Sequence, residues 1–458
     1  MPEDIISSQI NYKQMNQYQP RYKYVRINMS NILSNKVPVT ATGTAQVQFK
    51  LPYNTVYNLA KSKIATLIPV QAQTGVANNA GCARVVADCW PFGNQSVSFE
   101  TGNGLQLLNL NESSKFTKIV TKYNTSLRNF LTKDVTDFPN VTPTATNPTP
   151  AGTAMSGASG TEARYYIQTP AATGTTTAAL TVPIMYELAN FKHTILACDK
   201  DLYFGANDMY LKYTIGGVDN FAYTSASVTD PRTPASLSVA IGNLENVYLW
   251  LAVEQDTEII QNIVSKYNSS GINLLIDYPI ITKSTSTPST NQAIVVPFVP
   301  ANGKFLKRIY HTVWRLPETT STLLDCENSA GVRKITSYNS YLDSMKLQDD
   351  LIKCATAVST TEINQDDWRI NQQFCRDSVI QNYIQYQKNW AQIDDFCNPD
   401  QEKDHPDLQQ NTKDGLPMTH GLQYQFIATA ATETSYIHLN IGVFQREVYI
   451  NPSGVQFV

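Results

Sequence analysis

Val247-Tyr-Leu-Trp-Leu-Ala-Val253, followed by Glu-Gln-Asp256, a helical run, and then Gly271-Ile-Asn-Leu-Leu-Ile-Asp277, carries the architecture of this chain. The first segment is an unbroken apolar run of strand length, far short of the ~18 residues a membrane span needs. Asp256 is placed to cap a helix, because its carboxylate can accept from the first free backbone N–H groups. Ile259, Ile260, Ile263, Val264 and Tyr267 then recur at helical spacing on one face. Asn268-Ser-Ser-Gly271 ends the helix with glycine at its C-terminal stop. Strand pattern restarts at once. A lone capped helix between two strand systems, close to the middle of 458 residues, reads as a boundary between two domains of roughly 200 residues each.

Towards the N-terminus the pattern is strands with one helix. Val47, Phe49 and Leu51 alternate with polar residues, as do Val97 and Phe99, and Gly102-Asn-Gly104 follows as a turn. Asn111, Ser113 and Ser114 offer caps for a helix whose stripe is Phe116, Ile119, Val120, Tyr123, Leu127 and Phe130; its expected role is to cover a barrel end. Residues 137–182 are dominated by Thr, Ala, Pro and Gly and read as a surface insertion. Strand pattern returns at Leu180–Ile184 and Met209–Ile215. The first ~30 residues show no sustained period and read as an extended arm.

Towards the C-terminus, Ala293–Val299 and Arg308–Leu316 read as strands, with Tyr310, Thr312 and Trp314 on one face of the latter. Asp366–Phe396 fits a helix or a bent strand pair. Ile437, Leu439, Ile441 and Val443 alternate cleanly near the end. Ser98–Leu107 and Ser337–Gln348 sit at comparable places in the two halves and form a weak internal echo. The expected division is therefore an arm at 1–30, a first barrel at 31–255 carrying the 137–182 insertion, and a second barrel at 256–458. The expected class is all-β with a few short helices.

Composition agrees. Hydrophobic residues make up 42% and charged residues only 16%, against a typical ~25%, and Tyr alone numbers 25. Neutral polar and aromatic residues suit sheets and broad protein contacts. The N-terminus lacks the apolar core of a secretory signal. The seven cysteines, Cys82, Cys89, Cys198, Cys326, Cys354, Cys375 and Cys397, are odd in number and contain no CxxC, so they read as free buried thiols.

Between Ile5 and Ala87 there is no Asp or Glu, but there are Lys13, Arg21, Lys23, Arg26, Lys36, Lys50, Lys61, Lys63 and Arg84. Two readings stand: a positive end facing phosphate or lipid headgroups, or cations scattered around the first barrel. Lys13, Arg21, Lys23 and Arg26 are the expected arm contacts on the inner side of an assembly.

Catalytic signals are absent from the sequence. It holds no GxSxG, Walker A, GxGxxG or HExxH pattern, and His193, His311, His405, His420 and His438 never pair at metal-ligand spacing. His311, beside Trp314, is the best candidate among them, and packing is its simpler reading. The acidic doublets Asp349-Asp350, Asp366-Asp367 and Asp394-Asp395 do not make a glycosidase pair, since neighbours in a strand point to opposite faces. The acidic run 394–407 lacks the spacing and glycine of an EF-hand and reads as a solvated loop. No catalytic residue, cofactor or metal is expected.

The segments ENVYLWLAVE (245–254), KITSYNSYLDSMKLQD (334–349), DDWRINQQF (366–374), QKNWAQIDDF (387–396) and SVSFETGNGLQLLNLNESSKFTKIV (96–120) resemble double jelly-roll major capsid proteins, in the flavour of virophages and polinton-like elements. These belong to the lineage of adenovirus hexon and the membrane-containing tailless phages. The resemblance implies two consecutive eight-stranded jelly rolls. It implies homotrimeric capsomers of pseudo-hexagonal outline that tile an icosahedral virion. It implies partners of four kinds: the chain itself, penton and minor or cement proteins, and an internal membrane or genome beneath the shell. The competing reading is a trimeric viral attachment protein that binds glycans; it calls for a fibrous repeat, which the sequence does not contain.

Overall fold

The structure is a computed structural model that describes residues 21–40, 43, 45–71, 83–86, 94–124, 166–168, 179–217, 222–224, 240–241, 243–286, 293–298, 305–315, 335–354, 366–375, 378, 386, 390–396, 416–417, 422–428 and 436–458. In the first half the main strands are β1 (Tyr22–Asn28), β2 (Gln46–Lys50), β3 (Tyr57–Gln71), β4 (Asn94–Thr101), β5 (Gln106–Leu110), β6 (Asp201–Leu202), β7 (Met209–Ile215) and β8 (Leu244–Glu254). They form two antiparallel sheets, ordered β1-β8-β3-β6 and β2-β7-β4-β5. In the second half they are β9 (Ile272–Ser286), β10 (Ala293–Phe298), β11 (Phe305–Arg315), β12 (Ile335–Leu342), β13 (Met345–Lys346), β14 (Gln392–Asp395), β15 (Leu422–Ala428) and β16 (Tyr436–Asn451). Their sheets run β9-β16-β11-β14 and β10-β15-β12-β13. Adding eight to each label of the first half gives the second, so the two halves share one topology.

The alternation expected from the sequence places the cores. Along β7, Met209, Leu211, Tyr213 and Ile215 are buried while the residues between them are half-exposed. Leu249, Ile64 and Tyr186 lie side by side on β8, β3 and the strand Ala179–Glu187, all fully buried. The internal echo falls on β4–β5 and β12–β13, the same position in both halves. Between the halves, α2 (Thr257–Ser269) is capped by Asp256, whose carboxylate accepts from Glu258 N at 2.9 Å and Ile259 N at 3.4 Å. Gly271 follows with φ +75°, and a Cβ there would meet the Tyr449 ring at 2.5–2.6 Å.

Three expectations need correction. Tyr22–Asn28, assigned to the arm, is a strand paired with β8 along its whole length. Only Val25 and Ile27 face inward there, so an edge strand with Tyr24, Arg26 and Asn28 outside shows little apolar contrast. The last residues of the 137–182 insertion belong to the strand Ala179–Glu187, which pairs with Lys63–Gln71 of β3 because Ile184 and Tyr186 complete the core beside Thr66 and Ile64. The helix over 111–130 is described to Asn124 as α1: an α turn Ser113–Phe116, a π turn Thr117–Thr121 and an α turn Lys122–Asn124. It starts from Glu112 in the left-handed region, with no side-chain cap. Its stripe holds, for Phe116, Ile119, Val120 and Tyr123 are buried; Leu127 and Phe130 lie outside the described residues. The ambiguous stretch resolves into helix α3 (Asp366–Cys375) and strand β14.

Candidate functional site

Most described cations of the acid-free stretch meet carboxylates. Arg21 bridges Asp201 and Glu254, and Lys36 meets Glu245 at 2.7 Å. Lys50 meets Asp208 at 2.6 Å, Lys61 meets Asp199 at 2.5 Å and Lys63 meets Glu187 at 2.9 Å. Every acid in these pairs lies between residues 187 and 254, so the acid-free stretch is neutralised locally by the strands it pairs with. Burial raises the Glu254 carboxyl, but Arg21 and the backbone N–H groups of Asp256 and Gln255 together outweigh it, and the group ends below its usual range. Of the expected arm contacts, Arg21 is thus committed to the barrel. Arg26 lies over the Tyr248 ring at 4.7 Å, Lys23 is exposed on β1, and Lys13 lies outside the described residues.

The two halves meet along the outer face of the β9-β16-β11 sheet. In the paired register Ile281, Ile441 and Tyr310 stand side by side, as do Lys283, Leu439 and Thr312. Onto this face comes the β5–α1 edge of the first half. Asn124 donates to Tyr310 Oη at 2.9 Å, Lys283 pairs with Glu112 at 2.9 Å, and Tyr123 packs on Tyr310. His193 bridges Asp277 at 3.1 Å and Asn124 at 3.2 Å, while Lys307 approaches Asp277 at 3.2 Å. Burial alone would raise the Asp277 carboxyl, but Lys307 and His193 outweigh it and hold it at about 2. The Ile437–Val443 alternation therefore describes two buried faces, one against the first half and one inside the second barrel.

The barrel interior is unusually polar. His311 stacks on Tyr424 at 4.8 Å, lies 5.7 Å from His438 and hydrogen-bonds Asn440. Burial, and then the neighbouring His438, push His311 far below the usual histidine range. Burial brings His438 to about 4. Asp394 turns inward to accept from Tyr424 at 2.9 Å, while Asp395 turns outward to Arg308 at 3.1 Å, so this doublet diverges. Asp367 is buried and accepts from Trp390 Nε1 at 2.8 Å, whereas Asp366 is half-exposed and faces Arg369 at 3.5 Å. Among the described residues no group of three His, Cys, Asp or Glu is arranged to hold a metal ion. Cys198 and Cys354 are buried, with burial lifting the Cys198 thiol to about 11; the other cysteine side chains lie outside the described residues. The polar interior gave no sequence signal, because buried and exposed His, Asn and Asp look alike in a strand.

Solved structures similar to this one cover nearly its whole length. The mavirus major capsid protein matches over 97% of this chain and 92% of its own, with TM-score 0.54 and 10% identity. The chain is a double jelly roll. A chain of the Sputnik virophage, solved by electron cryomicroscopy, matches this double jelly roll over 97% and 91% with TM-score 0.54 and 12% identity. The Faustovirus major capsid protein does so over 95% and 92%, with TM-score 0.53 and 10% identity. No protein-family model matches the sequence, and no curated protein matches it. The double jelly roll thus persists where sequence identity has fallen to 10–12%, as expected when barrel topology and burial pattern are held rather than particular residues.

Proposed function

We propose that this chain is a major capsid protein, a structural and non-catalytic unit that assembles as a homotrimer of pseudo-hexagonal outline and tiles an icosahedral shell. The observation that carries the reading is the repeat of one eight-strand order in both halves, joined by a junction in which Tyr123, Asn124 and His193 of the first half meet Tyr310 and Asp277 of the second. A chain of two like barrels supplies two near-equivalent units, so three copies present a six-sided footprint. Several sheet edges are very short strands, Asp201–Leu202, Met345–Lys346 and Gln392–Asp395, which limits random β-pairing when copies crowd. The protein acts in the virion, after assembly inside a host cell. Its partners are further copies of itself, penton and minor or cement proteins, and an internal membrane or genome reached through residues 1–20.

Sedimentation velocity and negative-stain microscopy of the purified full chain test this. The expected result is a three-chain species with a hexagonal outline, giving sheets or shells at higher concentration. A protein that stays monomeric at all concentrations overturns the proposal.

A further inference from the structure

The two barrels share a topology but not an interior. In the first, β3 and β8 bury Ile64, Ile68, Val247, Leu249 and Leu251. The whole first half contains one histidine, His193, and it lies at the junction. In the second, the counterpart strands β11 and β16 bury His311, His438 and Asn440. A polar seam runs from these residues across the barrel. His311 stacks on Tyr424, and Asp394 accepts from Tyr424 Oη at 2.9 Å and from Gln392 Nε2 at 3.1 Å. Tyr338 Oη donates to Gln392, and Asn371 of α3 donates to Gln392 Oε1 at 2.9 Å. Strands β11 and β14 belong to one sheet and β12 and β15 to the other, so the seam crosses between the sheets. At its other end Ser286, half-exposed, lies 2.6 Å from His438 Nε2 and links the seam to solvent.

We infer that the second barrel is an acid-operated element: protons taken up by the His311–His438 pair part its two sheets reversibly while the first barrel stays closed. The cause is electrostatic. The two rings are buried and 5.7 Å apart, so imidazolium charges there would face each other with little water between them. Burial, joined for His311 by its neighbour, holds both rings neutral in the closed barrel, with His438 at about 4. Opened to water they regain the ordinary 6.5, so acid draws the barrel open. The surrounding groups do not cancel this. Burial raises Tyr424 and Tyr338, which stay neutral in acid. Asp367 is engaged by Trp390 Nε1, and Lys307 and Arg308 of β11 turn to Asp277 and Asp395. Burial raises Asp394 too, so its proton uptake favours the closed form and blunts the response, one such group against two histidines. The inference concerns the interior of one barrel and stands apart from the capsomer reading.

Amide hydrogen exchange of the full chain at pH 7 and pH 4.5, corrected for intrinsic rates, tests it. Asp277, held at about 2, is still ionised at pH 4.5, so the junction keeps its pairing. A change from 6.5 to about 4 in His438 alone biases opening about fifty-fold there, before the opposing effect of Asp394. Exchange over β15 and β16 should therefore speed up about tenfold or more. Exchange over β3 and β8 should not change, and return to pH 7 should restore protection. The double variant His311→Gln with His438→Gln should lose the acceleration. Equal acceleration in both barrels, none in the second, or acceleration that persists at pH 7 would overturn the inference. So would a folded double variant that responds to acid as wild type does. Should that variant fail to fold, the wild-type comparison of the two halves decides alone.

Discussion

His438 sits inside the second barrel with Nε2 2.6 Å from Ser286 Oγ, facing His311 and Asn440. Its value of about 4 lies below the ordinary 6.5, so the unfolded chain binds the proton first as pH falls. The associated stability is fully present above pH 6.5 and is lost towards pH 4, to a limit of about 3 kcal/mol. The melting temperature should therefore decline between pH 6.5 and 4, and His438→Gln should flatten that decline; an unchanged slope would remove His438 from the account. Asp277 follows at lower pH. Its carboxyl is depressed from 3.8 to about 2, so its contribution is complete above 3.8 and drains away as pH falls to about 2. Asp277→Asn at neutral pH leaves Lys307 buried without its carboxylate, a loss of about 3–5 kcal/mol on the scale of broken buried pairs. Adding Lys307→Met to Asp277→Asn should restore part of that in urea titrations, whereas losses strictly additive with those of Lys307→Met alone would show that the two groups are not coupled.

Helix α2 was legible residue by residue, because its cap, stripe and stop are local. Asp256→Ala should cost about 1 kcal/mol through the lost cap. Gly271→Ala should cost more, about 1–3 kcal/mol, because the left-handed backbone and the Tyr449 ring both oppose a Cβ. Thermal melts that rank these two the other way would mean the helix end, not its start, tolerates change. Other elements were less legible for physical reasons. The π turn Thr117–Thr121 of α1, just ahead of the Tyr123 ring that packs on Tyr310, is announced by no spacing of Phe116, Ile119 and Val120. Strand β1 hid because an edge strand with tyrosine, arginine and asparagine outside lacks the contrast of a central one. Strand β16 was found by its alternation, yet Ile441 and its neighbours point at the other barrel while His438, Asn440 and Phe444 line their own interior. Alternation tells that faces differ, not which one the partner covers.

At the scale of the whole molecule, the two-barrel plan was readable from one capped helix and a repeated hairpin, but the fate of the N-terminal charge was not. The acids that neutralise Lys36, Lys50, Lys61 and Lys63 lie more than a hundred residues away in sequence, so only the strand pairing reveals the match. The proposed arm is thereby confined to the residues before Arg21, because Arg21 and β1 belong to the first barrel. This sharpens a truncation experiment. Removing residues 1–20 spares Arg21, its bridge to Asp201 and Glu254, and all of β1. Such a chain should keep the wild-type melting temperature and form trimers, but assemble shells poorly by electron microscopy. Removing residues 1–26 strips the bridge and most of β1, baring the edge of β8. It should melt lower and aggregate, since an uncovered central strand offers unpaired N–H and C=O groups to any neighbour. Normal shells from the shorter cut would end the arm assignment, and an unchanged melting curve from the longer cut would show that β1 does not hold the first barrel together.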